Sequence, residues 1–193
     1  YQRIIAEANP LGVMSSYNDW DGIPVTGSYY FLTTLLREKF GFKGYVVSDS
    51  DAVEFIYSKH RVAKDTTDAV RMALEAGVNV RTNFQQPETF ILPARKLVKD
   101  GAIGMDVINK RVADVLRVKF LLKLFDAPYV ADTLNADKVV YNDDAQKFSK
   151  QISKEVLVLL KNVNNTLPLD KTKVKSIFLT GPLADDTATS MSR

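Results

Sequence analysis

The stretch GYVVSDSDAVEF, residues 44–55, decides how the rest of the sequence is interpreted. Its apolar run is continuous rather than alternating, which is typical of a parallel β-strand covered on both faces. The run ends at Asp49, and two further acids, Asp51 and Glu54, follow closely. In parallel α/β folds the functional groups collect where the strands end. The stretch therefore predicts a buried strand that carries a carboxylate to a functional edge of the sheet.

Further strand–helix units surround this stretch. Strands are predicted over residues 11–18 and 78–84, a loop over 19–28, and helices over 28–40, 65–77, 87–101 and 105–125. Successive units of this kind favour parallel strands joined by crossover helices, so the predicted fold class is α/β. Three units neither close a barrel nor complete a sheet. We therefore expect the sequence to be part of a longer polypeptide.

The pattern changes after residue 125. Residues 126–144 show no clear period and are predicted to form a linker. A helix over 145–162 and a strand over 174–182 follow, as at the start of a second α/β domain. The predicted organisation is a first domain over 1–125, a linker over 126–144, and an incomplete second domain over 145–193.

Composition excludes several classes of protein. The chain has 193 residues, 46% of them hydrophobic and 25% charged, which is typical of a globular protein. The net charge of +3 comes from scattered basic residues and gives no support for nucleic-acid binding. The absence of cysteine excludes disulfides and thiolate metal sites. No apolar run approaches the ~18 residues of a membrane span, and no signal peptide is visible after Tyr1.

Polar residues follow three predicted strands: Tyr17 in residues 16–18, Asp49 and Asp51 in 48–51, and Arg81 in 81–84. If the strands are in register, these residues face one common opening. Asp49 could act as a nucleophile, a general base or a metal ligand, or it could simply cap a helix. Position alone leaves these roles open. Asp51, like the acid that follows it, better suits the positive end of a helix dipole.

Four other side chains have two interpretations each. Tyr17 could donate a hydrogen bond to a carboxylate, or be an ordinary half-buried aromatic residue. Trp20, between two aspartates, could form a platform for a sugar ring or pack as a lid. Arg81 lies in an apolar strand pattern, which predicts a ligand, a partner carboxylate or a structural ion pair. His60 has no second histidine with which to share a metal and is interpreted as a surface residue.

The motifs resemble the catalytic barrel of glycoside hydrolase family 3, the β-glucosidases and β-xylosidases. The matching elements are SYN followed by GIP, then LLREKFGFKG, VVSD, EAGVNV and INKRVADVLRVKFLLKLFD. The later EVLVLLKN, NTLPL and IFLTGPLAD resemble the opening of that family's second domain. The resemblance implies the C-terminal part of a (β/α)8 TIM-like barrel, a linker, and the first elements of an α/β sandwich domain.

The resemblance also implies chemistry. It predicts a retaining, exo-acting β-glycosidase that hydrolyses terminal β-D-glucosyl or β-D-xylosyl residues of oligosaccharides. Asp49 would be the nucleophile that forms a covalent glycosyl-enzyme, and Tyr17 would position it. The general acid/base Glu normally comes from the second domain, so the remainder of the polypeptide would supply it. The two carboxyl groups should lie about 5–5.5 Å apart. No metal or organic cofactor is implied.

Ser50 departs from the family pattern, since many members have Trp directly after the nucleophile. We therefore name Ser50, Asp51, Trp20 and Arg81 as candidate substrate-binding residues. A periplasmic or extracellular location is expected, with the cytoplasm left open, and a homodimer is compatible with the sequence. Two alternatives stay open. One is a non-catalytic sugar-binding barrel module. The other is a different (β/α)8 enzyme, for which residues 85–90 lack the Gly-rich phosphate loop.

Overall fold

The computed structural model describes residues 1–130, 135–140 and 142–185. The chain divides into two compact units, Tyr1–Ala131 and Asp132–Arg193. The predicted domain boundaries stay predictions, since parts of the predicted linker and residues 186–193 lie outside the described residues.

The first unit is an α/β structure. In chain order it contains α1 (Gln2–Ala8), β1 (Gly12–Met14), β2 (Asp19–Trp20), β3 (Ile23–Pro24), a 3-10 helix (Val25–Gly27), a π-helix (Tyr30–Lys39), β4 (Tyr45–Val47), α2 (Ala52–Ser58), α3 (Thr66–Ala76), α4 (Glu88–Lys99) and α5 (Met105–Leu121). The predicted helices are thus present, with shorter bounds and with π geometry in the first of them.

The sheet is parallel, as the apolar run predicts. β1 pairs with β4, and Val13 lies opposite Val46, which is fully buried. The predicted strand over 78–84 is reduced to a single parallel bridge between Val80 and Val47. The ladder ends there because the Thr82 N–H donates to the Ser48 side chain instead of continuing the pairing. The segment after Val80 therefore leaves the sheet close to the carboxyl end of β4.

The predicted loop over 19–28 contains a β-hairpin, which the sequence interpretation missed. β2 pairs with β3, and the turn between them is formed by Asp21 and Gly22. Both residues have positive φ, 53° and 75°. A type I′ turn requires this at both central positions, and Asp-Gly is one of its preferred pairs. The hairpin presents Trp20 to solvent.

A buried polar network joins three elements at the amino ends of the strands. Asn79 Oδ1 accepts hydrogen bonds from the Val46 N–H and the Arg37 guanidinium, each at 2.7 Å. Asp114 of α5 pairs with Arg37 at 3.0 Å and with Arg117 at 2.9 Å. Burial lowers the pKa of Arg37, and the positive charges of Arg111 and Arg117 lower it further against the opposing effect of Asp114.

The second unit departs from prediction. It contains α6 (Ala136–Val140), α7 (Asp143–Glu155) and a short 3-10 helix (Val163–Asn165). The predicted helix over 145–162 therefore ends too late. The prediction of a strand over 174–182 is wrong, since these residues have no regular secondary structure. A strand needs a neighbour for its backbone N–H and C=O groups. The described part of this unit contains no paired strand.

Candidate functional site

Asp49 lies two residues after the end of β4, at the edge where the chain turns into α2. Its Oδ1 accepts a hydrogen bond from the Ser50 N–H at 2.7 Å. Its backbone carbonyl accepts from the Ala52 N–H at 3.1 Å, which joins it to the first turn of α2. The carboxylate is half-buried. The backbone therefore fixes one oxygen of Asp49 and leaves the other for a further partner.

Tyr17 is the partner that the structure brings to this carboxylate. The negative charge of Asp49, together with a hydrogen bond from the phenol to it, raises the pKa of Tyr17 above its ordinary value. Tyr17 follows β1, the parallel neighbour of β4, so two strand ends place the pair. Its side chain is 45% exposed. The phenol therefore stays protonated, and it can donate to Asp49 over a wide pH range.

Asp51 and Glu54 occupy different environments from Asp49. Asp51 precedes α2 in the left-handed conformation, with φ 61°, and its side chain makes no capping hydrogen bond. Glu54 lies in the first turn of α2, and its Oε1 is 3.4 Å from Arg81 Nε. Neither acid therefore duplicates the surroundings of Asp49.

Arg81 is held by the protein. Its side chain is 6% exposed and pairs with Glu54. The guanidinium also donates to Thr89 Oγ1 at 2.8 Å and lies 5.8 Å from the centre of the Phe90 ring. These contacts agree with the structural ion pair that was one of the interpretations of Arg81.

Trp20 lies on the hairpin and is 69% exposed. Its ring meets Phe31 edge-on, with the centroids 6.3 Å apart. The Val25 N–H donates to the Asn18 carbonyl at 2.9 Å, which attaches the base of the hairpin to the segment that carries Tyr17. The indole is therefore a large exposed surface on a fixed support.

Sequence reasoning missed the contacts of His60 and Phe55. His60 Nε2 lies 2.8 Å from the backbone carbonyl of Tyr17. The Phe55 ring contacts the Tyr17 ring, with centroids 5.9 Å apart. Only folding brings His60 to Tyr17, and no motif or spacing signals the contact. The α2 amphipathic pattern could have placed Phe55 on one face, but not against this tyrosine.

The part of the chain that the structure describes contains no group of three or more His, Cys, Asp or Glu side chains arranged to hold a metal ion. Within the same residues, no helix is both long and apolar enough to cross a membrane.

The known proteins that this chain resembles include β-xylosidases and β-glucosidases. A putative β-xylosidase of Formosa agariphila is 37% identical over 191 residues, covering 99% of this chain and 25% of that protein. A periplasmic β-glucosidase of Salmonella typhimurium is 36% identical over 183 residues, covering 93% of this chain and 23% of that protein. The chain thus spans about a quarter of the length of the curated relatives it matches.

A solved structure of a β-glucosidase is similar to this chain as well. A β-glucosidase of Erythrobacter marinus superposes with a TM-score of 0.74 at 34% identity, covering 90% of this chain and 22% of that one. The family described as the glycosyl hydrolase family 3 N terminal domain matches residues 1–118. On that match the chain belongs to glycosyl hydrolase family 3.

Proposed function

We propose that this chain is part of a retaining, exo-acting β-glycosidase that hydrolyses terminal β-D-glucosyl or β-D-xylosyl residues of oligosaccharides. One observation carries the proposal: Asp49 follows a buried parallel strand, and its negative charge acts on the phenol of Tyr17, which follows the neighbouring strand, in a chain of this family. The relatives named β-xylosidase and β-glucosidase support both sugar classes. The activity would belong to a longer polypeptide, since the chain spans only part of those relatives.

The proposed architecture follows the same reasoning. Residues 1–125 would be the C-terminal part of a (β/α)8 barrel, 126–144 a linker, and 145–193 the start of an α/β sandwich domain. The parallel order of β1, β4 and Val80, with helices between them in sequence, supports the barrel part. A periplasmic or extracellular location is supported by the name of the Salmonella typhimurium relative.

In the proposed mechanism the Asp49 carboxylate attacks the anomeric carbon and forms a glycosyl-enzyme ester. A general acid from the remainder of the polypeptide protonates the leaving glycosidic oxygen. The same group then takes a proton from water, which attacks the anomeric carbon and releases Asp49. Two inversions retain the configuration, as expected for carboxyl groups about 5–5.5 Å apart. Tyr17 donates to the carboxylate and orients it for attack.

Four residues are proposed to shape substrate binding. Trp20 would offer its exposed ring to a sugar face, and Ser50 and Asp51 would border the site beside the nucleophile. Arg81 would have to leave its ion pair with Glu54 to contact a sugar directly. Arg81 would therefore contribute indirectly, by holding the segment that follows Val80 beside the site.

The experiment is covalent trapping on the complete polypeptide. A 2-deoxy-2-fluoro glucoside and the corresponding xyloside, each with an activated leaving group, slow the release of the glycosyl-enzyme. Trypsin cuts after Lys43 and Lys59, so one peptide contains Asp49, Asp51 and Glu54. Fragmentation of that peptide must therefore assign the mass increment to one carboxylate. We expect it on Asp49, with turnover and labelling both lost in Asp49→Asn.

Asp51→Asn is the matched control, because Asn tolerates the left-handed conformation of this position. It should still be labelled. An increment on Asp51, or normal turnover by Asp49→Asn, would show that Asp49 is not the nucleophile. Binding of glycosides without any label or hydrolysis would favour the non-catalytic sugar-binding module.

A further inference from the structure

His60 is the only histidine of the chain, and its ring faces the backbone of the candidate site. Its Nε2 lies 2.8 Å from the Tyr17 carbonyl oxygen. A carbonyl oxygen has no proton to give, so Nε2 must carry the proton and donate it. The backbone of His60 is fixed as well, since its N–H donates to the Phe55 carbonyl at 2.9 Å.

Tyr17 is 45% exposed, so packing alone does not fix its position. Specific contacts to the rest of the protein therefore matter for how it is held. The segment that follows Asp49 holds Tyr17 at two points. Phe55 packs its ring against the phenol ring at 5.9 Å, and His60 holds the carbonyl. Lys59 Nζ lies 4.0 Å from the centre of the Phe55 ring and adds a cation–π contact to the same segment.

These contacts connect Asp49 to Tyr17 by way of α2 and His60. Asp49 joins α2 through the hydrogen bond from the Ala52 N–H, α2 leads to His60, and His60 holds Tyr17. The phenol of Tyr17 in turn lies within the electrostatic influence of the Asp49 carboxylate, whose charge raises the pKa of that phenol. One segment therefore both carries the carboxylate and fixes the residue that orients it. Groups preorganised in this way lower the cost of reaching the reactive geometry.

We propose that His60 is a positioning residue for the reaction, which holds Tyr17 against Asp49 by donating its Nε2–H to the Tyr17 carbonyl. The inference rests on the proposed function of Asp49 as the nucleophile. His60 does not touch the reacting atoms in this role, and its effect passes through Tyr17.

The test compares His60→Asn with His60→Gln in the complete polypeptide. Both introduce an amide, but the shorter Asn side chain does not reach the position of Nε2, whereas the Gln amide does. We expect His60→Asn to lower kcat on an aryl β-glucoside about tenfold with a smaller change in KM, and His60→Gln to recover most of kcat. Equal losses in the two variants would overturn the proposal.

A double-mutant cycle separates positioning from a general effect on the fold. In a Tyr17→Phe background, which lacks the phenolic hydrogen bond to Asp49, His60→Asn should cause little further loss of kcat. Independent, multiplying losses would show that His60 acts elsewhere. Lys64→Ala changes an exposed side chain in the same loop and should leave kcat unchanged.

A readout without turnover separates this inference from the proposed function. With 13C-labelled tyrosine, the Tyr17 resonance should titrate at lower pH in His60→Asn than in the parent, and at the parent value in His60→Gln. An unchanged titration in His60→Asn would overturn the positioning role even if Asp49 is labelled. If Asp49 is not labelled but the titration moves, the proposed function fails and the hold of His60 on Tyr17 stands.

Discussion

Asp49, Asp51 and Glu54 are neighbours in sequence, yet each has a different environment. Asp49 accepts a hydrogen bond from the Ser50 N–H, and its charge raises the pKa of the Tyr17 phenol. Asp51 takes the left-handed conformation before α2, and Glu54 is engaged by Arg81. Because the surroundings of a carboxylate set its chemistry, the three acids are not equivalent, and Asp49 is the one whose charge raises the pKa of the Tyr17 phenol.

Tyr17 should titrate above its usual pKa of about 10, because the charge of Asp49 disfavours the phenolate and the hydrogen bond favours the phenol. The stabilising contact is therefore fully present below that usual pKa and is lost as pH rises through the raised value. Asp49→Asn removes the charge, so the pKa of Tyr17 should fall towards the usual value. NMR titration of 13C-labelled tyrosine, assigned with Tyr17→Phe, measures this shift.

Asp51→Asn provides the control for that titration. It removes one negative charge from the same segment while keeping a side chain that suits the positive φ of this position. The titration of Tyr17 should stay close to the parent value. A larger shift in Asp51→Asn than in Asp49→Asn would contradict the pairing of Tyr17 with Asp49.

The close approach of β4 to the chain before β1 depends on Gly44. A Cβ at this position would lie 2.1 Å from the Leu11 carbonyl oxygen and 2.6 Å from its carbon. Backbone atoms cannot yield locally, because the Tyr45 N–H also bonds that carbonyl at 3.1 Å. We expect Gly44→Ala to reduce the free energy of unfolding by about 3 kcal/mol or more, as measured by denaturant unfolding.

Gly41→Ala is the matched comparison. Gly41 has φ +76°, and no atom lies within 4 Å of a Cβ built there. Its cost should be the backbone strain alone, about 1 kcal/mol. Equal losses at the two glycines would mean that β4 can shift away from Leu11 without penalty.

Elements with a strong local signal are the ones that sequence predicted well. The continuous apolar run predicted β4, and the helix predicted over 65–77 is α3, which Asp65 caps by accepting the Asp68 N–H at 2.8 Å. The β2–β3 hairpin had a readable signal in Asp-Gly. The run over 78–84 predicted a strand that forms only as a bridge at Val80, and no sequence pattern indicates that the Ser48 side chain accepts the Thr82 N–H.

The candidate site was predictable in part for the same reason. Strand ends after apolar runs located Asp49 and Tyr17, and their proximity follows from the parallel pairing of β1 with β4. The contact of His60 with Tyr17, and the identity of Glu54 as the partner of Arg81, could not be predicted in this way. Both depend on how α2 and the following loop pack, and no periodicity encodes which residue a side chain meets across the fold.

Asp114 balances the charges of two largely buried arginines, Arg37 and Arg111, in a network that connects the π-helix, α5 and the amino end of β4. It pairs with Arg37 and Arg117, and its charge opposes the lowering of the pKa of Arg111 by burial. Asp114→Asn should therefore leave the buried cations without compensation. We expect a loss of about 3 kcal/mol in the free energy of unfolding, measured by denaturant titration.

Asp100→Asn is the control for that loss. Asp100 also pairs with a cation, Lys96, but both side chains are about half exposed or more. Exposed pairs contribute about 0–1 kcal/mol. A loss at Asp114 no greater than at Asp100 would show that water, rather than the carboxylate, compensates the arginines.

The two units differ in whether apolar residues are buried. In Tyr1–Ala131 the core includes Val46, Ile56 and Val70, each no more than 2% exposed. The described part of the second unit has no buried residue in α7, and it leaves Leu157, Leu160 and Phe178 between 78% and 93% exposed. Apolar surface left in water contributes no stability to folding. The second unit should therefore be locally unstable in this chain alone.

Hydrogen exchange measures that difference residue by residue. In the 193-residue chain, amides of β4 and α3 should exchange only through global opening, whereas those of 156–160 should exchange at nearly the unprotected rate. In a longer polypeptide that completes the proposed sandwich domain, 156–160 and 177–180 should gain protection, because added neighbours would bury their apolar side chains and satisfy their backbone groups. Protection of 156–160 in the short chain equal to that of β4 would contradict this account, since it would require a core that the described residues do not form.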